Sequence, residues 1–509
     1  MSISKIFSAQ LSGLNAHIIT IEVDLSNGLH AFSVVGLGDK AVDEAKDRIS
    51  AAIKNSGYTS PKQKNQKVVI SLAPADIRKE GTSFDLGMAM AYLSASGDVC
   101  FDPEKKIFLG ELSLEGEVKK VSGVLPLTRG AVHHGFDELF VPEENAEEAG
   151  LVKGIRIYPV KNLNQVISHL TGLKNTGISK QRMTRIKKSA DAFENNFNVI
   201  RGQETAKRAL EIAAAGGHNI AMYGPPGTGK TMLAKAFQSI LPALDYDETL
   251  EVTGIHSVAR ILEKPFITKP PFRSPHHTSS HASLVGGGSV PKPGEITLAH
   301  RGVLFLDEFP EFDKKVIEAL RQPLEDHSIT ISRAKGTLTF PAQCIVIASM
   351  NPCPCGYGKE KGCTCSIRDI SNYNKRISGP IVDRIDMWVS VSKIEYEALA
   401  ESSRHTEDSS IIRKRVEKAR LVQKKRFQKS GIKKKKYNSE MSVSDIEKCI
   451  VIEKEVRDIL KASAERLGLS ARAYHRIIKL AQTIADLERI GKINKNHVLE
   501  ALQYRQKNF

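Results

Sequence analysis

The chain has 509 residues, of which 41% are hydrophobic, 26% charged and 6% aromatic, an ordinary globular composition that excludes collagen-like and wholly disordered classes. At about 150 residues per domain it reads as two to four domains, each able to bury a core without disulfide staples. Lysine and arginine number 74 against 58 acids, a formal charge of +16 that points to a polyanionic partner.

No run of about 18 apolar residues occurs, so no membrane span is expected. Met1-Ser-Ile-Ser-Lys-Ile-Phe-Ser lacks a basic region followed by a long apolar stretch, so a cytoplasmic protein is the expectation. Ile18-Ile-Thr-Ile-Glu-Val-Asp-Leu alternates as a strand does and turns at Ser26-Asn-Gly. Ala45, Ile49, Ala52 and Ile53 predict a helix over 41–56, and a second strand follows over 68–72. Strand and helix alternate through Glu111, Phe140 and Ile157, which makes residues 1–170 an α/β or α+β domain. Residues 171–196 are polar and basic and read as a linker. Residues 197–392 hold the strong chemical motifs, and 393–509 look helical, with apolar periodicity over 456–468 and 471–490.

The apolar stretch Ile220-Ala-Met-Tyr runs into Gly224-Pro225-Pro226-Gly227-Thr228-Gly229-Lys230-Thr231, and a helical pattern follows. Strand, glycine-rich loop and helix are the context a phosphate-binding loop needs. Backbone N–H groups face the phosphates, Lys230 reaches the terminal ones, and Thr231 can ligate magnesium where the helix dipole favours anions. Val303-Leu-Phe-Leu-Asp307-Glu308 is an apolar strand ending in two carboxylates: Asp307 suits the magnesium and Glu308 the attacking water. A further apolar strand from Cys344 ends at Asn351, a polar residue where a neighbouring strand would reach the same phosphate.

With these motifs the sequence resembles the AAA+ ATPases, and within them the magnesium-chelatase-like family typified by ComM/YifB. Val199-Ile-Arg-Gly-Gln203, Phe272-Arg-Ser-Pro-His-His-Thr, the stretch from Gly294 to Glu308 and Arg376-Ile-Ser-Gly-Pro-Ile-Val-Asp-Arg384-Ile-Asp carry the match, which covers nearly the whole chain. The resemblance implies an α/β fold: an AAA+ P-loop core over 197–392 with a helical lid over 393–509. It makes Asn351 the sensor 1 residue, Arg384 an arginine finger acting on the adjacent subunit's ATP, and Arg472 sensor 2, with Arg476 a weaker candidate. A finger acting in trans needs a ring, and the family implies a hexamer. Positive charge is then supplied where the transition state gains negative charge.

Ser328-Ile-Thr-Ile-Ser-Arg333-Ala-Lys335-Gly-Thr-Leu-Thr-Phe alternates on both sides of a basic tip and predicts a hairpin. The resemblance turns this hairpin and the Gly286-Gly-Gly288 insert toward the ring's pore, where Arg333 and Lys335 could grip successive DNA phosphates without reading bases. Between Arg413 and Lys436 lie thirteen basic residues and one acid, Glu417, a second candidate phosphate contact.

Four of the seven cysteines, Cys353, Cys355, Cys363 and Cys365, form two Cys-x-Cys pairs seven residues apart, a candidate structural zinc site with no open coordination position. His276, His277 and His281 lack convincing ligand spacing. Residues 1–170 resemble the proteolytic domain of the Lon family, with Lys79-Glu-Gly-Thr-Ser83 on the nucleophile's segment. The lysine that would activate that serine falls at Leu125, so proteolysis is not expected unless Lys119 or Lys120 takes its place.

The sequence therefore reads as an ATP- and magnesium-dependent hexameric motor acting on single-stranded or branched DNA, with branch migration during natural transformation as the activity the resemblance implies. The alternatives are a chelatase-type motor that remodels a protein partner and, less favoured, a Lon-like ATP-dependent protease.

Overall fold

The computed structural model describes residues 3–173, 176–186, 195–288, 291–333, 336–358, 362–393, 407–432 and 435–505, with only the backbone described at 333 and 336. It divides into two compact units, Met1–Lys187 with Asp245–Ile267, and Lys188–Leu244 with Thr268–Phe509. None of the described helices is long and apolar enough to cross a membrane.

The first unit is built on β1 (Ser4–Ser12), β2 (Asn15–Asn27), β3 (Ala31–Val35), β4 (Gln66–Ala73), β5 (Lys106–Phe108), β8 (Glu138–Pro142) and β9 (Arg156–Val160), in the order β3-β4-β2-β1-β5-β8-β9, while β6 (Glu111–Leu112) and β7 (Val118–Lys119) form a small ribbon. The strand expected at 18–25 lies inside β2, which pairs antiparallel with β1 and β4. Helix Lys40–Asn55 starts at Asp39, whose carboxylate accepts from Val42 N, and it buries Val42, Ala45, Ile49, Ala52 and Ile53. The spacing of those residues puts them on one stripe, as the sequence predicts. Helix Asp85–Ala95 is buried on nearly every face, so its composition is apolar all round.

Helix Tyr246–Val258 belongs to this first unit although its sequence neighbours belong to the second. Asp245 and Glu248 form a reciprocal capping box at its start. Ser257 donates to Glu148 Oε1 at 2.6 Å and accepts from Gly123 N at 2.9 Å, and Leu250 packs with Leu125 and Leu151.

The second unit carries a five-stranded sheet in the order β11 (Phe272–Arg273), β14 (Val303–Leu306), β17 (Ile345–Met350), β10 (Ile220–Tyr223) and β18 (Met387–Ser390). All its pairings are parallel. Both faces of a parallel sheet are covered, which is why β14 and β17 are continuous apolar runs and buried throughout. Two antiparallel ribbons sit apart from this sheet: β12 (Gly286–Gly287) with β13 (Lys292–Pro293), and β15 (Ser328–Arg333) with β16 (Gly336–Pro341). The second is the predicted hairpin; Lys335 and the Arg333 side chain lie outside the described residues.

Helices Ser409–Lys429, Lys454–Leu467, Ala471–Leu487 and Lys495–Gln503 follow β18, and Val416, Ala419, Phe427, Ile477 and Ile484 share one apolar cluster with the sheet and helix Glu204–Gly216.

Candidate nucleotide site and its cationic counterpart

The parallel sheet ends β10, β14 and β17 along one edge, and the three predicted phosphate-site segments leave from there. Gly224 N donates to Met350 O at 3.2 Å, so the loop begins wedged between strand ends. A Cβ at Gly224 would stand 2.0 Å from Val391 O, which admits no other residue. Gly229, at φ 87°, caps helix Lys230–Ile240 in the left-handed region, and the N-terminus of that helix faces the loop.

Lys230 is buried, and its Nζ donates to Gly224 O at 2.7 Å, Pro225 O at 2.8 Å and Asn351 Oδ1 at 3.2 Å. Burial holds its pKa below the ordinary lysine value, while Asp307 and Glu308 push the other way. Thr231 Oγ1 donates to Asp307 Oδ2 at 2.9 Å, and Ser349 donates to the other Asp307 oxygen. A hydroxyl and a carboxylate oxygen so juxtaposed are the hard donors that magnesium takes, so the residues present fit the ion and the triphosphate the loop is shaped for. Glu308 sits at φ 52°, a left-handed conformation that costs a non-glycine residue about 1–2 kcal/mol. Its carboxylate lies 3.4 Å from His277 Nδ1, so this histidine of the Ser-Pro-His-His segment stands beside the acid.

Arg384 and Arg472 lie elsewhere. Asp386 N and Met387 N both donate to Asn219 O at 3.0 Å, so the Arg384 segment meets the edge where β10 and β18 begin. The phosphate loop leaves the edge where β10 ends. Four residues of strand separate the two, about 13 Å at some 3.3 Å per residue. Arg384 Nη1 donates to Pro380 O at 2.7 Å and its Nη2 to Glu325; Arg472 Nη2 reaches the same carboxylate at 3.2 Å. Arg476 donates to Ile385 O at 2.7 Å and to Asp383 O, which braces the backbone on both sides of Arg384. Glu325, Arg384, Arg472 and Arg476 line a cavity of about 570 Å³ at this edge.

Next to Asn351, the cysteine loop brings all four Sγ atoms within 4.8 Å of one another. Cys353 Sγ lies 3.2 Å from Cys355 Sγ and 3.8 Å from Cys363 Sγ. Thiolates around one tetrahedral zinc, each at about 2.3 Å, stand about 3.8 Å apart, so the set fits that ion. It is the metal-ligand cluster found among the described residues, and His276, His277 and His281 do not join one.

The basic run sorts itself by residue type. Arg413 donates to Ser239 O, Arg415 pairs with Glu211 and Glu407, Arg420 donates to Ala214 O, and Arg426 pairs with buried Asp486. The exposed positions are Lys414, Lys418, Lys424, Lys425 and Lys429, so less of the charge is free for a partner than the composition suggests. Lys433 and Lys434 lie outside the described residues, and Lys435 pairs with Asp445.

In the first unit Leu125 is fully buried in its apolar cluster, and exposed Lys119 pairs with Glu117. Lys79 is fully buried with its Nζ on Pro74 O, and Ser83 O accepts from Gly110 N at 3.0 Å.

Sequence reasoning missed Glu325, the His277 contact and Gln203, whose Nε2 donates to Ser392 O at 2.6 Å beside the phosphate loop. Gln203 lies in a stretch that carries the family resemblance; Glu325 has no local signal at all.

Residues 196–399 match the family described as magnesium chelatase, subunit ChlI; 21–145 match subunit ChlI of Mg-chelatase, and 406–505 match the ChlI C-terminal family. The chain is 40% identical to the competence protein ComM of Haemophilus influenzae over 99% of this chain and 98% of that one. It is 39% identical to the uncharacterized protein YifB of Salmonella typhimurium over 99% and 97%. A weaker match, 24% identity over 41% of this chain and 27% of the other, is to the DNA replication licensing factor mcm7 of Schizosaccharomyces pombe. With a P-loop, a paired Thr231 and Asp307 and this full-length likeness, the chain belongs to the magnesium-chelatase-like AAA+ ATPases, in the ComM/YifB family.

Proposed function

We propose that the protein is an ATP-driven ring motor, a hexamer, that moves on single-stranded or branched DNA and promotes branch migration during natural transformation. The observation that carries the ring is the placement of Arg384 and Arg472 at the opposite edge of the sheet from Lys230. One subunit then holds a phosphate cradle on one edge and the cations that would complete a neighbour's cradle on the other, which is the division of labour a trans arginine finger requires.

In this reading Lys230 releases its two backbone carbonyls to bind terminal phosphate oxygens, and Thr231 and Asp307 hold magnesium. The ion, when bound, neutralises charge between the terminal phosphates. Glu308 orients and deprotonates the attacking water, Asn351 positions it beside Lys230, and Arg384 and Arg472 stabilise charge from the adjacent subunit. The DNA part is supported by the likeness to a DNA replication licensing factor, mcm7, and to a competence protein, ComM, by the basic hairpin β15–β16 and by the five exposed lysines of helix Ser409–Lys429. The same reading assigns a structural zinc to Cys353, Cys355, Cys363 and Cys365.

The test is steady-state ATP hydrolysis with and without single-stranded and forked DNA, using Glu308→Gln as control. DNA stimulation that disappears in the variant is expected. A DNA-indifferent rate with no DNA binding at low salt would remove the motor reading and favour a chelatase-type remodeller of a protein partner.

A further inference from the structure

Two arginines at the sheet edge converge on one acid. Arg384 Nη2 and Arg472 Nη2 each take one oxygen of Glu325, the latter at 3.2 Å. The other cations lining the cavity are held differently: Lys435 pairs with Asp445, Lys479 donates to Ser439 O at 2.9 Å, and Arg476 donates to two carbonyls. Arg384 is largely buried, 14% exposed, and its Nε is a buried donor without a partner, whereas Arg472 is 61% exposed and Glu325 49% exposed. The pair is thus one largely buried and one largely exposed guanidinium joined through a solvent-accessible carboxylate. The Arg384 guanidinium keeps that carboxyl below its ordinary pKa, so it is an anion.

We propose that Glu325 is a stand-in for phosphate: its carboxylate holds Arg384 and Arg472 until the neighbouring subunit's nucleotide displaces it, and so sets the ATP concentration at which a ring interface closes. The proposal rests on the reading that both arginines serve the adjacent site. A guanidinium fork accepts carboxylate and phosphate alike, and a terminal phosphate brings more negative charge and more acceptor oxygens than one carboxylate. Closure is then an exchange of ion pairs rather than their creation, and the gain is the difference between the two anions. Without Glu325 the two cations would face each other uncompensated, and the Nη2 groups of both would lose that acceptor.

Glu325→Gln keeps an acceptor oxygen in place but removes the charge to be displaced. The expected result is a KM for ATP, and a half-maximal ATP concentration for hexamer assembly by light scattering, about two- to fivefold lower, the upper range of exposed ion pairs, with kcat within about twofold. An unchanged or raised KM in Glu325→Gln, while Arg384→Ala abolishes turnover, overturns the proposal and leaves the trans reading intact. Wild-type turnover in Arg384→Ala overturns the trans reading itself. Binding of a fluorescent ATP analogue to the P-loop of each variant shows that it is folded. Glu325→Ala separates a prop from a placeholder: if the acid merely supports the arginines, Ala and Gln both raise KM.

Discussion

Gly356 of the cysteine loop stands against Pro226 of the phosphate loop, so closely that a Cβ at 356 would lie 2.9 Å from the proline Cδ. Gly356 is held at φ 90° and its N–H donates to Cys353 O at 3.0 Å, which folds the loop back on itself. Cys353 is also two residues from Asn351, which accepts from Lys230. A metal that ties Cys353, Cys355, Cys363 and Cys365 together therefore supports the wall of the phosphate loop. Protein purified without chelator is expected to carry one zinc per chain by atomic emission. Removing it, or Cys363→Ser, should raise the nucleotide Kd about tenfold, near 1.4 kcal/mol. A Kd unchanged on removal of a demonstrated zinc would uncouple the two loops.

The arginines and lysines of helix Ser409–Lys429 should separate in experiment as they do in space. Lys418→Gln, Lys425→Gln and Lys429→Gln together should leave Tm unchanged and weaken duplex binding. If all three touch phosphate, the slope of log K against log salt falls by about 2.7. An unaltered slope would exclude this face from the DNA path.

Arg426→Met tests the flank of the same helix that turns toward the buried face. Asp486 is fully buried, pairs with Arg426 and accepts from Asn438 Nδ2 at 2.9 Å and Gln482 Nε2 at 3.0 Å. Removing the guanidinium leaves a buried carboxylate half compensated, and a loss of about 3 kcal/mol is expected in urea unfolding. A loss under about 1 kcal/mol would mean the remaining donors suffice.

The resemblance to the Lon family puts Leu125 where such a protease would need its lysine. Its side chain is fully buried beside Leu151 and Leu250, and its N–H donates to Glu148 Oε1 at 2.9 Å. Leu125→Ala should destabilise the first unit by about 2–5 kcal/mol, read by thermal unfolding. Leu125→Lys should be worse, because an ammonium would enter an apolar cluster, and it should give no casein cleavage. Casein cleavage abolished by Ser83→Ala would reverse this.

The phosphate cradle was legible because each of its parts is local: an apolar run, glycines that must adopt positive φ, a lysine and a threonine in fixed order. The same holds for helix Lys40–Asn55, where the apolar stripe and the Asp39 cap agree with the expected 41–56 to one residue at each end. Glu325 was not legible, since its meaning comes from Arg384 and Arg472, 59 and 147 residues away. The basic run misled in part for a similar reason. Charge can be counted in sequence, but Glu211, Glu407 and Asp486, which neutralise two of its arginines, are distant or unremarkable on their own.

Helix Tyr246–Val258 carries a practical consequence. Because Leu250 and Ser257 complete the first unit from within the ATPase sequence, that unit cannot be removed by shortening the chain. A fragment beginning at residue 188 would keep the helix but lose Leu125, Leu151, Gly123 and Glu148, leaving Leu250 without its apolar neighbours and the Ser257 hydroxyl without its two partners. Such a fragment would aggregate for reasons unrelated to catalysis, and a single cut near residue 188 would nick the protein without releasing its first unit.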